Sequence, residues 1–318
     1  MESSENRVLV TGATGLVGRR LLPELAKRFS AIRTLSRSAP KDPGATTAVF
    51  GSSSPSEAMA TEGIQWDGVD PGPSAFGGVD TVIHLAGEPI FGGLPTSQRL
   101  ARVRASRIDS TRRLVDRILE RPVEDRPTTL VCASAVGIYG EGGEERLDEA
   151  TPAGRGFLAE VCRDWEAEAE RAKASGVRVV ALRIGVVLAR EGGALGLMKI
   201  PFGLGVGGRL GSGQQFFPWI HAEDLVGAIL WCVESNVEGP VNAVAPEEVR
   251  NVDLTRALGK VLGRPTILPV PAFALRLALG EFSGELLGSR RVVSRRLEEG
   301  GYVFKHPTLR SALEAELG

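Results

Sequence analysis

Short apolar runs rich in β-branched residues alternate with longer segments of helical periodicity over the first three quarters of the chain. These runs do not alternate apolar with polar residues, which indicates strands buried on both faces. Strands of this kind separated by amphipathic helices are typical of a parallel sheet with crossover helices. The predicted strands are 8–10, 32–35, 79–85, 129–133 and 177–182, and the predicted helices are 16–29, 96–120 and 156–175.

A glycine-rich turn joins the first predicted strand to the first predicted helix. Three glycines stand at a spacing of three residues in the segment Gly12-Ala13-Thr14-Gly15-Leu16-Val17-Gly18. At such a junction glycine permits a tight turn and a close approach to a pyrophosphate, and the amides of the helix N-terminus bind the anion. We therefore predict that the seven residues of this turn bind a dinucleotide.

The end of the second predicted strand distinguishes the two nicotinamide dinucleotides. An NAD-selective protein usually presents an acidic residue there to the ribose 2′-hydroxyl, but no acid lies between Glu24 and Asp42. The strand ends instead in Ser36 and Arg37, a hydroxyl and a guanidinium that suit the 2′-phosphate of NADP. We expect NADP(H), with Arg37 as the phosphate ligand, or Arg33 if the register of the strand is shifted.

Composition and charge restrict the class of partner. The formal net charge of −1 gives no overall attraction to nucleic acid or to an anionic membrane. The sequence shows neither a signal-peptide pattern nor an apolar run of about 18 residues. Cys132, Cys162 and Cys232 lie in apolar stretches, which favours buried thiols and a cytoplasmic location. We expect a small-molecule substrate and no metal, because the three histidines lack ligand spacing, and we leave a homodimer open.

Several stretches of sequence extend beyond these local patterns. They are 11–18, His84-Leu85-Ala86-Gly87-Glu88, 134–140, 207–224, 239–246, 263–265 and Gly280-Glu281. Together they resemble the extended short-chain dehydrogenases/reductases, and more narrowly an atypical SulA-type nucleoside-diphosphate-sugar epimerase family. The resemblance implies an α/β fold, a Rossmann-type doubly wound parallel sheet with a smaller substrate-side C-terminal domain. We assign residues 1–188 and 219–243 to the NADP-binding domain, and 189–218 and 244–318 to the smaller one.

The resemblance also implies cofactor contacts at the carboxyl ends of the other strands. Asp67 matches an acidic position that faces the adenine amine, although a surface turn acid is an equal alternative. Arg183 matches the segment that lines the nicotinamide side, with a salt-bridged strand end as the alternative. The remaining positions implied are Leu85, Ala86, Gly87 and Glu88 after the fourth strand, and Gly185 and Val186 after the sixth.

The chemistry that the resemblance implies lacks part of its usual machinery. Hydride transfer in the superfamily uses a Ser or Thr after the fifth strand, a Tyr, and a Lys four residues after that Tyr. Ser134 fits the first position, but no Tyr precedes a Lys at this spacing anywhere in the chain. Tyr139, five residues after Ser134, is the nearest phenol and an alternative acid. The two helical positions are occupied by Val161 with Trp165 or by Cys162 with Glu166.

Two functions follow from this sequence. One is an NADP(H)-dependent oxidoreductase or epimerase-like enzyme acting on a small polar substrate such as a nucleotide sugar, with Ser134 and Tyr139 as the candidate catalytic residues. The other is a protein that binds and senses NADP(H) and has lost rapid hydride chemistry together with the Tyr and the Lys. Fold resemblance alone does not decide between them.

Overall fold

The computed structural model describes residues 6–37, 61–90, 96–280 and 283–318. Its strands are β1 (Arg7–Thr11), β2 (Ala31–Ser36), β3 (Thr61–Gln65), β4 (Thr81–His84), β5 (Thr129–Ala135), β6 (Arg146–Leu147), β7 (Arg178–Ile184), β8 (Val186–Ala189), β9 (Trp219–His221), β10 (Gly239–Ala243) and β11 (Arg291–Val292). Its helices are α1 (Leu16–Leu25), α2 (Ser97–Leu119), α3 (Phe157–Glu170), α4 (Gly193–Gly203), α5 (Ala222–Glu234), α6 (Asn251–Leu262), α7 (Ala272–Leu279), α8 (Ser283–Leu287), α9 (Arg295–Glu299) and α10 (Leu309–Leu317).

The central sheet has seven strands in the order β3-β2-β1-β4-β5-β7-β10. Every neighbouring pair is parallel, so the carboxyl ends of all seven strands lie along one edge. The strand order reverses direction between β1 and β4, which is where doubly wound folds form their ligand crevice. The predicted fold class is confirmed.

The sheet is covered on both faces. Val8 and Val10 of β1 belong to a buried cluster with residues of α1 and α5, whereas Leu9 between them belongs to a cluster with residues of α2 and α3. Successive side chains of a strand point to opposite faces, so β1 is apolar on both sides. This explains why the strand-forming runs show no alternation in the sequence.

The structure moves several predicted boundaries. The first helix ends at Leu25 instead of residue 29, because the apolar periodicity continues into a turn that buries Phe29 in the core. The third helix ends at Glu170 and continues as a 3₁₀ turn, Arg171–Ser175. Helix α4 was not predicted, because its glycines mask its periodicity.

The Gly- and Pro-rich stretch 44–78 contains regular structure over the part that the structure describes, although its composition indicates a mostly irregular segment with a short strand only near residues 64–66. Residues 61–65 form the edge strand β3, and Trp66 directly after it is buried. A 3₁₀ turn, Pro73–Phe76, then buries Phe76 completely. Residues 38–60 lie outside the described residues, as does Glu281 of the matched C-terminal stretch.

The C-terminal helix is tied to the first helix of the chain. Glu316 of α10 accepts hydrogen bonds from Arg20 of α1 at 2.8 Å and from the amide of Arg190 at 2.6 Å. A ring nitrogen of His221 lies 3.0 Å from the same carboxylate. Within the described ranges, no helix has both the length and the apolar character needed to cross a bilayer.

Two polar side chains, those of His221 and Asp224, stabilise the start of α5. His221 caps the helix, its Nδ1 accepting the amide of Glu223 at 3.2 Å. Asp224 is fully buried and accepts the amides of Lys305 and His306 at 2.6 and 3.0 Å. The carboxylate thereby fixes the chain that leads into α10.

We predict that Asp224→Asn destabilises the protein, because the new amide group turns a donor toward one of two buried N–H groups. The loss of a hydrogen bond to a buried carboxylate is worth about 1.5–3 kcal/mol. Thermal unfolding followed by circular dichroism measures the effect, and the exposed neighbour Glu223→Gln is the control. Equal melting temperatures for the two variants would contradict this account of α5.

Candidate functional site

The turn after β1 packs directly against the turn after β4. Gly12 has a φ of +72°, and a Cβ at this position would lie 2.8 Å from the carbonyl oxygen of Leu85 and 2.9 Å from the amide nitrogen of Ala86. A Cβ at Gly18 would overlap the carbonyl oxygen of Gly12. Backbone atoms cannot move aside as a flexible side chain can, so only glycine fits at either position.

The N-terminus of α1 is suited to an anion. The helix begins at Leu16 after Gly15, no side chain caps it, and no acid occupies its first turn. Thr14 and Gly15 are exposed. The first amides of a helix have no partners within the helix and carry the positive end of its dipole. The predicted turn therefore has the geometry that a dinucleotide pyrophosphate requires.

A buried hydroxyl and imidazole hold the two turns together. The Thr11 hydroxyl accepts the amides of Leu85 and Ala86, each at 3.1 Å. Its own hydrogen is therefore directed to Nδ1 of His84 at 2.7 Å, which leaves the ring proton on Nε2, 3.0 Å from the Thr111 hydroxyl. Burial lowers the pKa of His84 to about 4. His84 is thus a neutral structural residue at physiological pH.

The end of β2 presents an exposed guanidinium, as predicted. The Arg37 side chain is 73% exposed, and its nearest acid, Glu88, lies 3.9 Å away. Arg33 is buried in the middle of β2, where it donates to Glu62 at 2.7 Å and to the carbonyl of Ala75 at 2.8 Å. The alternative in which Arg33 binds the phosphate is therefore wrong, because the strand register turns it into the protein.

Ser36 and Asp67 also lie at this edge of the sheet. Ser36 is half-buried at the end of β2, beside Arg37. The Asp67 carboxylate accepts the amides of Val69 and Asp70 at 2.7 and 2.8 Å, and so closes a surface turn. A contact between Asp67 and an adenine stays a prediction.

Three polar residues stand in a row across neighbouring strands on the other side of the crevice. Ser134 of β5 pairs in register with Arg183 of β7, which pairs with Asn242 of β10. Glu166 of α3 lies over this row. It accepts the Ser134 hydroxyl at 2.6 Å and binds Arg183 through two hydrogen bonds of 2.9 Å each. A bidentate pair of this kind fixes the carboxylate in one orientation.

Tyr139 continues this network away from the crevice. Arg183 donates to its hydroxyl at 3.0 Å, and the hydroxyl donates to the side-chain oxygen of Asn242 at 2.7 Å. The Glu149 carboxylate accepts a hydrogen bond from the backbone N–H of Asn242 at 3.0 Å. Burial raises the pKa of Tyr139 to about 12, although Arg183 opposes the shift. The phenol is therefore neutral, and its proton is donated to Asn242.

The hydrogen bonds of Arg183 define its role. Burial by itself would lower the pKa of Arg183, but the bonds with Glu166 raise it above the usual value. Its Nη1 donates to Tyr139 and, at 3.4 Å, to the carbonyl of Glu149. The salt-bridged strand end is therefore observed, and only the backbone of Arg183 is left to line a cofactor. Gly185 beyond it is buried against Val244.

A small pocket opens between Ser134 and helix α3. Its volume is about 170 Å³, and α3 contributes Leu158, Val161, Cys162 and Trp165 to its wall. Val161 and Trp165, one candidate pair for the missing Tyr and Lys, line this pocket. In the other pair, Cys162 lines the pocket and Glu166 contacts Ser134. The remaining wall comes from the ends of β4, β5 and β7 and from α2: Leu85, Ala86, Gly87, Ile90, Arg107, Ala133, Ser134, Ala135 and Ile184.

Several residues of this site were not predicted from the sequence. Arg107 reaches the pocket from α2, and Asn242 and Glu149 complete the network behind Arg183. Their signals are weak, because each is a single polar residue within an otherwise ordinary helix, strand or loop.

The structure also brings two distant histidines together. The rings of His221 and His306 lie 3.8 Å apart, and with Glu223 their ligand atoms fall within 4.8 Å of one another. The sequence spacing did not predict this cluster. Nδ1 of His221 accepts the Glu223 amide, whereas Nε2 lies 3.0 Å from a Glu316 oxygen but makes no hydrogen bond of good geometry within the described residues.

Comparison with known proteins agrees with this geometry. The pattern of the NAD dependent epimerase/dehydratase family matches residues 8–245, and a domain of unknown function, DUF1731, matches residues 270–316. The chain therefore belongs to the NAD dependent epimerase/dehydratase family.

Individual relatives match over nearly the whole chain. The epimerase family protein SDR39U1 homolog, chloroplastic, of Arabidopsis thaliana is 41% identical over 99% of this chain and 87% of its own length. Epimerase family protein SDR39U1 of Mus musculus is 36% identical over 97% and 98%, respectively. The crystal structure of human epimerase family protein SDR39U1 (isoform2) with NADPH is 32% identical, with a TM-score of 0.83 and coverage of 98% of this chain and 99% of that one.

We predict that the three thiols do not react in the native protein. All three cysteines are free and buried, and burial raises the pKa of each from 9.0 to about 12. Because the thiolate is the nucleophile, its fraction at pH 8 falls roughly 1000-fold. Titration with Ellman's reagent should count three thiols only in guanidinium. A thiol that reacts rapidly without denaturant would contradict this, and Cys162 in the pocket wall would be the first suspect.

Proposed function

We propose that this chain binds NADP(H) along the carboxyl edge of its sheet. The glycine turn, the uncapped N-terminus of α1 and the exposed Arg37 support the proposal. The human relative whose structure contains NADPH supports the choice of dinucleotide. The cofactor residues named from the sequence then act together, because the ends of β1, β2, β4 and β7 share one edge.

Arg37→Ala should weaken NADPH binding by about 10- to 100-fold and leave NADH binding unchanged, because only NADPH carries the 2′-phosphate. Titration of nucleotide fluorescence measures both dissociation constants. Arg310→Ala, an exposed arginine on α10, is the control. If NADH binds the unaltered protein as tightly as NADPH does, Arg37 does not select the cofactor.

We further propose an oxidoreductase or epimerase-like reaction in which Ser134 meets the reacting oxygen of the substrate. The observation that carries this proposal is the 2.6 Å hydrogen bond to Glu166 from Ser134, which lines the pocket. A substrate hydroxyl that donates to Ser134 lets the serine pass its own proton to Glu166. In this oxidation, bound NADP⁺ would accept the hydride and Glu166 is the proton acceptor behind Ser134, in place of the Tyr and Lys. In the reduction of a carbonyl, NADPH would supply the hydride, and protonated Glu166 returns the proton to the substrate oxygen through Ser134.

Arg183 and Tyr139 act in this scheme as positioning residues. Arg183 holds both oxygens of Glu166, so one of them always faces Ser134. Tyr139 accepts a hydrogen bond from Arg183 and donates one to Asn242, so Asn242 acts on Arg183 through Tyr139. We therefore propose an indirect role for Tyr139, since its hydroxyl is bonded on both sides and the phenol does not line the pocket.

A second candidate function is an NADP(H) sensor without turnover. The same hydrogen bonds favour it, because the Ser134 and Tyr139 hydroxyls both donate to protein partners. In that case the row of Ser134, Arg183 and Asn242 is a buried structural network, and the cofactor is the only ligand.

Ser134→Ala and Glu166→Gln should each lower turnover by about 10²- to 10⁴-fold, the usual range for general acid–base catalysis. Their NADPH dissociation constants should stay within about threefold of the original, because neither side chain belongs to the glycine turn. Glu168→Gln, on the same helix but paired with Arg112 and Arg171, is the control. NADPH oxidation with a panel of carbonyl compounds and nucleotide sugars provides the assay.

Two results would contradict parts of this proposal. Full turnover by Glu166→Gln would exclude Glu166 as the proton acceptor. Tight NADPH binding without turnover of any compound would favour the sensor.

The wider organisation of the protein is also a proposal. Helices α4, α6 and α10 share one buried cluster with Trp219, which supports a smaller substrate-side domain formed by 189–218 and 244–318. Buried free cysteines support a reducing compartment such as the cytoplasm. A homodimer stays open.

A further inference from the structure

Large apolar side chains are exposed together on two segments of the chain. Eleven such side chains are exposed within the described residues, and eight of these lie in the segments 197–206 and 267–277. Exposed apolar residues are normally scattered singly, and a concentration of them marks an interaction site. We refer to the eight as the apolar patch: Leu197, Ile200, Leu204, Val206, Ile267, Leu268, Phe273 and Leu277.

The two segments lie side by side in the fold. The amide of Val270 donates to the carbonyl of Arg209 at 2.8 Å, and the amide of Gly211 donates to the carbonyl of Val270 at 2.9 Å. At Gly208 there is no room for a Cβ, because the carbonyl oxygen of Leu268 lies against that position. The members of the apolar patch are thus brought together by backbone contact between the segments.

Two helices each present one face to the apolar patch. In α4, Leu197, Ile200 and Leu204 follow one another at spacings of three and four residues, so they share a face. Other residues of α4 pack into the cluster that it shares with α6 and α10. In α7, Phe273 and Leu277 are four residues apart and are 72% and 88% exposed. These side chains protrude from the protein surface.

The charged residues of the two segments are all of one sign. No acid occurs in residues 192–222 or 254–280. The segments 197–211 and 264–277 contain four cations, and all four are exposed. Within the described part of the chain, none of the four forms an ion pair or donates a side-chain hydrogen bond. They are Lys199, Arg209, Arg264 and Arg276.

This charge distribution discriminates between the partners that could cover the apolar patch. A second copy of the chain, docked by a twofold axis through the patch, would bring the cations of both copies together without an acid to offset them. An anionic lipid bilayer supplies phosphates for the cations and hydrocarbon for the protruding apolar side chains. Long basic side chains beside apolar ones reach back to the headgroups.

We propose that the apolar patch binds the surface of an anionic lipid bilayer. The apolar side chains insert below the headgroups, and Lys199, Arg209, Arg264 and Arg276 contact the lipid phosphates. The formal net charge of −1 does not oppose this, because a charged surface acts on the cations within about 10 Å of it. The inference depends neither on cofactor binding nor on turnover.

Co-sedimentation of the full chain with lipid vesicles tests the proposal. One set of vesicles contains phosphatidylcholine alone, and the other contains equal parts of phosphatidylcholine and phosphatidylglycerol. We expect the chain to bind the anionic vesicles about 10- to 100-fold more tightly, because four basic side chains meet an anionic surface. High salt should reduce this difference, since it screens the exposed charges.

Two double variants separate the apolar and the basic contributions. Phe273→Ser with Leu277→Ser should weaken binding to the anionic vesicles by about 10- to 100-fold, because two inserted side chains are lost. Lys199→Glu with Arg276→Glu should remove the preference for anionic lipid. The matched controls are Val303→Ser and Arg310→Glu, which change exposed residues outside the apolar patch. Circular dichroism verifies that each variant is folded.

Several results would overturn the proposal. Equal binding to both vesicle sets would show that the cations do not meet lipid phosphates. Absence of binding to either set would leave the apolar patch to a protein partner. A dimer in analytical ultracentrifugation without lipid, abolished by Phe273→Ser with Leu277→Ser, would assign the patch to a second copy. Should a double variant fail to fold, the two lipid compositions and the salt series on the unaltered chain still decide.

Discussion

In-register pairing of β5, β7 and β10 sets Ser134, Arg183 and Asn242 side by side at the carboxyl edge of the sheet. Parallel strands give such a row because side chains at matched positions share a face. Helix α3 then covers this face and needs to supply only one acid, Glu166, to join the end of β5 to the end of β7. The arrangement of these polar side chains thus depends on the backbone register of the strands. The apolar residues of the strands set that register, and the polar residues stand at matched positions within it.

The cofactor side of the crevice is rigid for a different reason. Backbone contact between Gly12 and the Leu85–Ala86 peptide leaves no room for a side chain, and the Thr11 hydroxyl satisfies both amides of the opposing turn. A neutral His84 takes the last hydrogen of that hydroxyl, so this junction carries no charge that titrates near neutrality. The uncapped N-terminus of α1, which follows this junction, favours an anion through its free amides and the positive end of its dipole.

Local features were predicted well from the sequence, and long-range ones were not. The geometry of the glycine turn and the exposure of Arg37 depend on residues adjacent in the chain, so local patterns indicate them, while contact of these residues with the cofactor stays a prediction. The role of Arg33 depends on its pairing opposite Glu62 in β3, and no pattern in β2 shows that pairing. Tyr139 and Asn242, which stand 103 positions apart, meet only in the folded sheet. The predicted first helix is longer than α1 because Phe29, an apolar residue after the helix, continues the helical periodicity of the sequence.

Arg107 and Arg183 are both buried at the site but differ in how the protein compensates the charge of the guanidinium. Arg183 is surrounded by Glu166, the Tyr139 hydroxyl and a carbonyl, so its charge is fully met within the protein. Within the described residues, Arg107 donates from one nitrogen to two carbonyls and the Ser106 hydroxyl, and it lies over the ring of Trp165. Burying a guanidinium costs several kcal/mol, and neutral acceptors offset only part of that cost. Glu88 attracts Arg107 from beyond ion-pair distance and opposes the lowering of its pKa that burial causes.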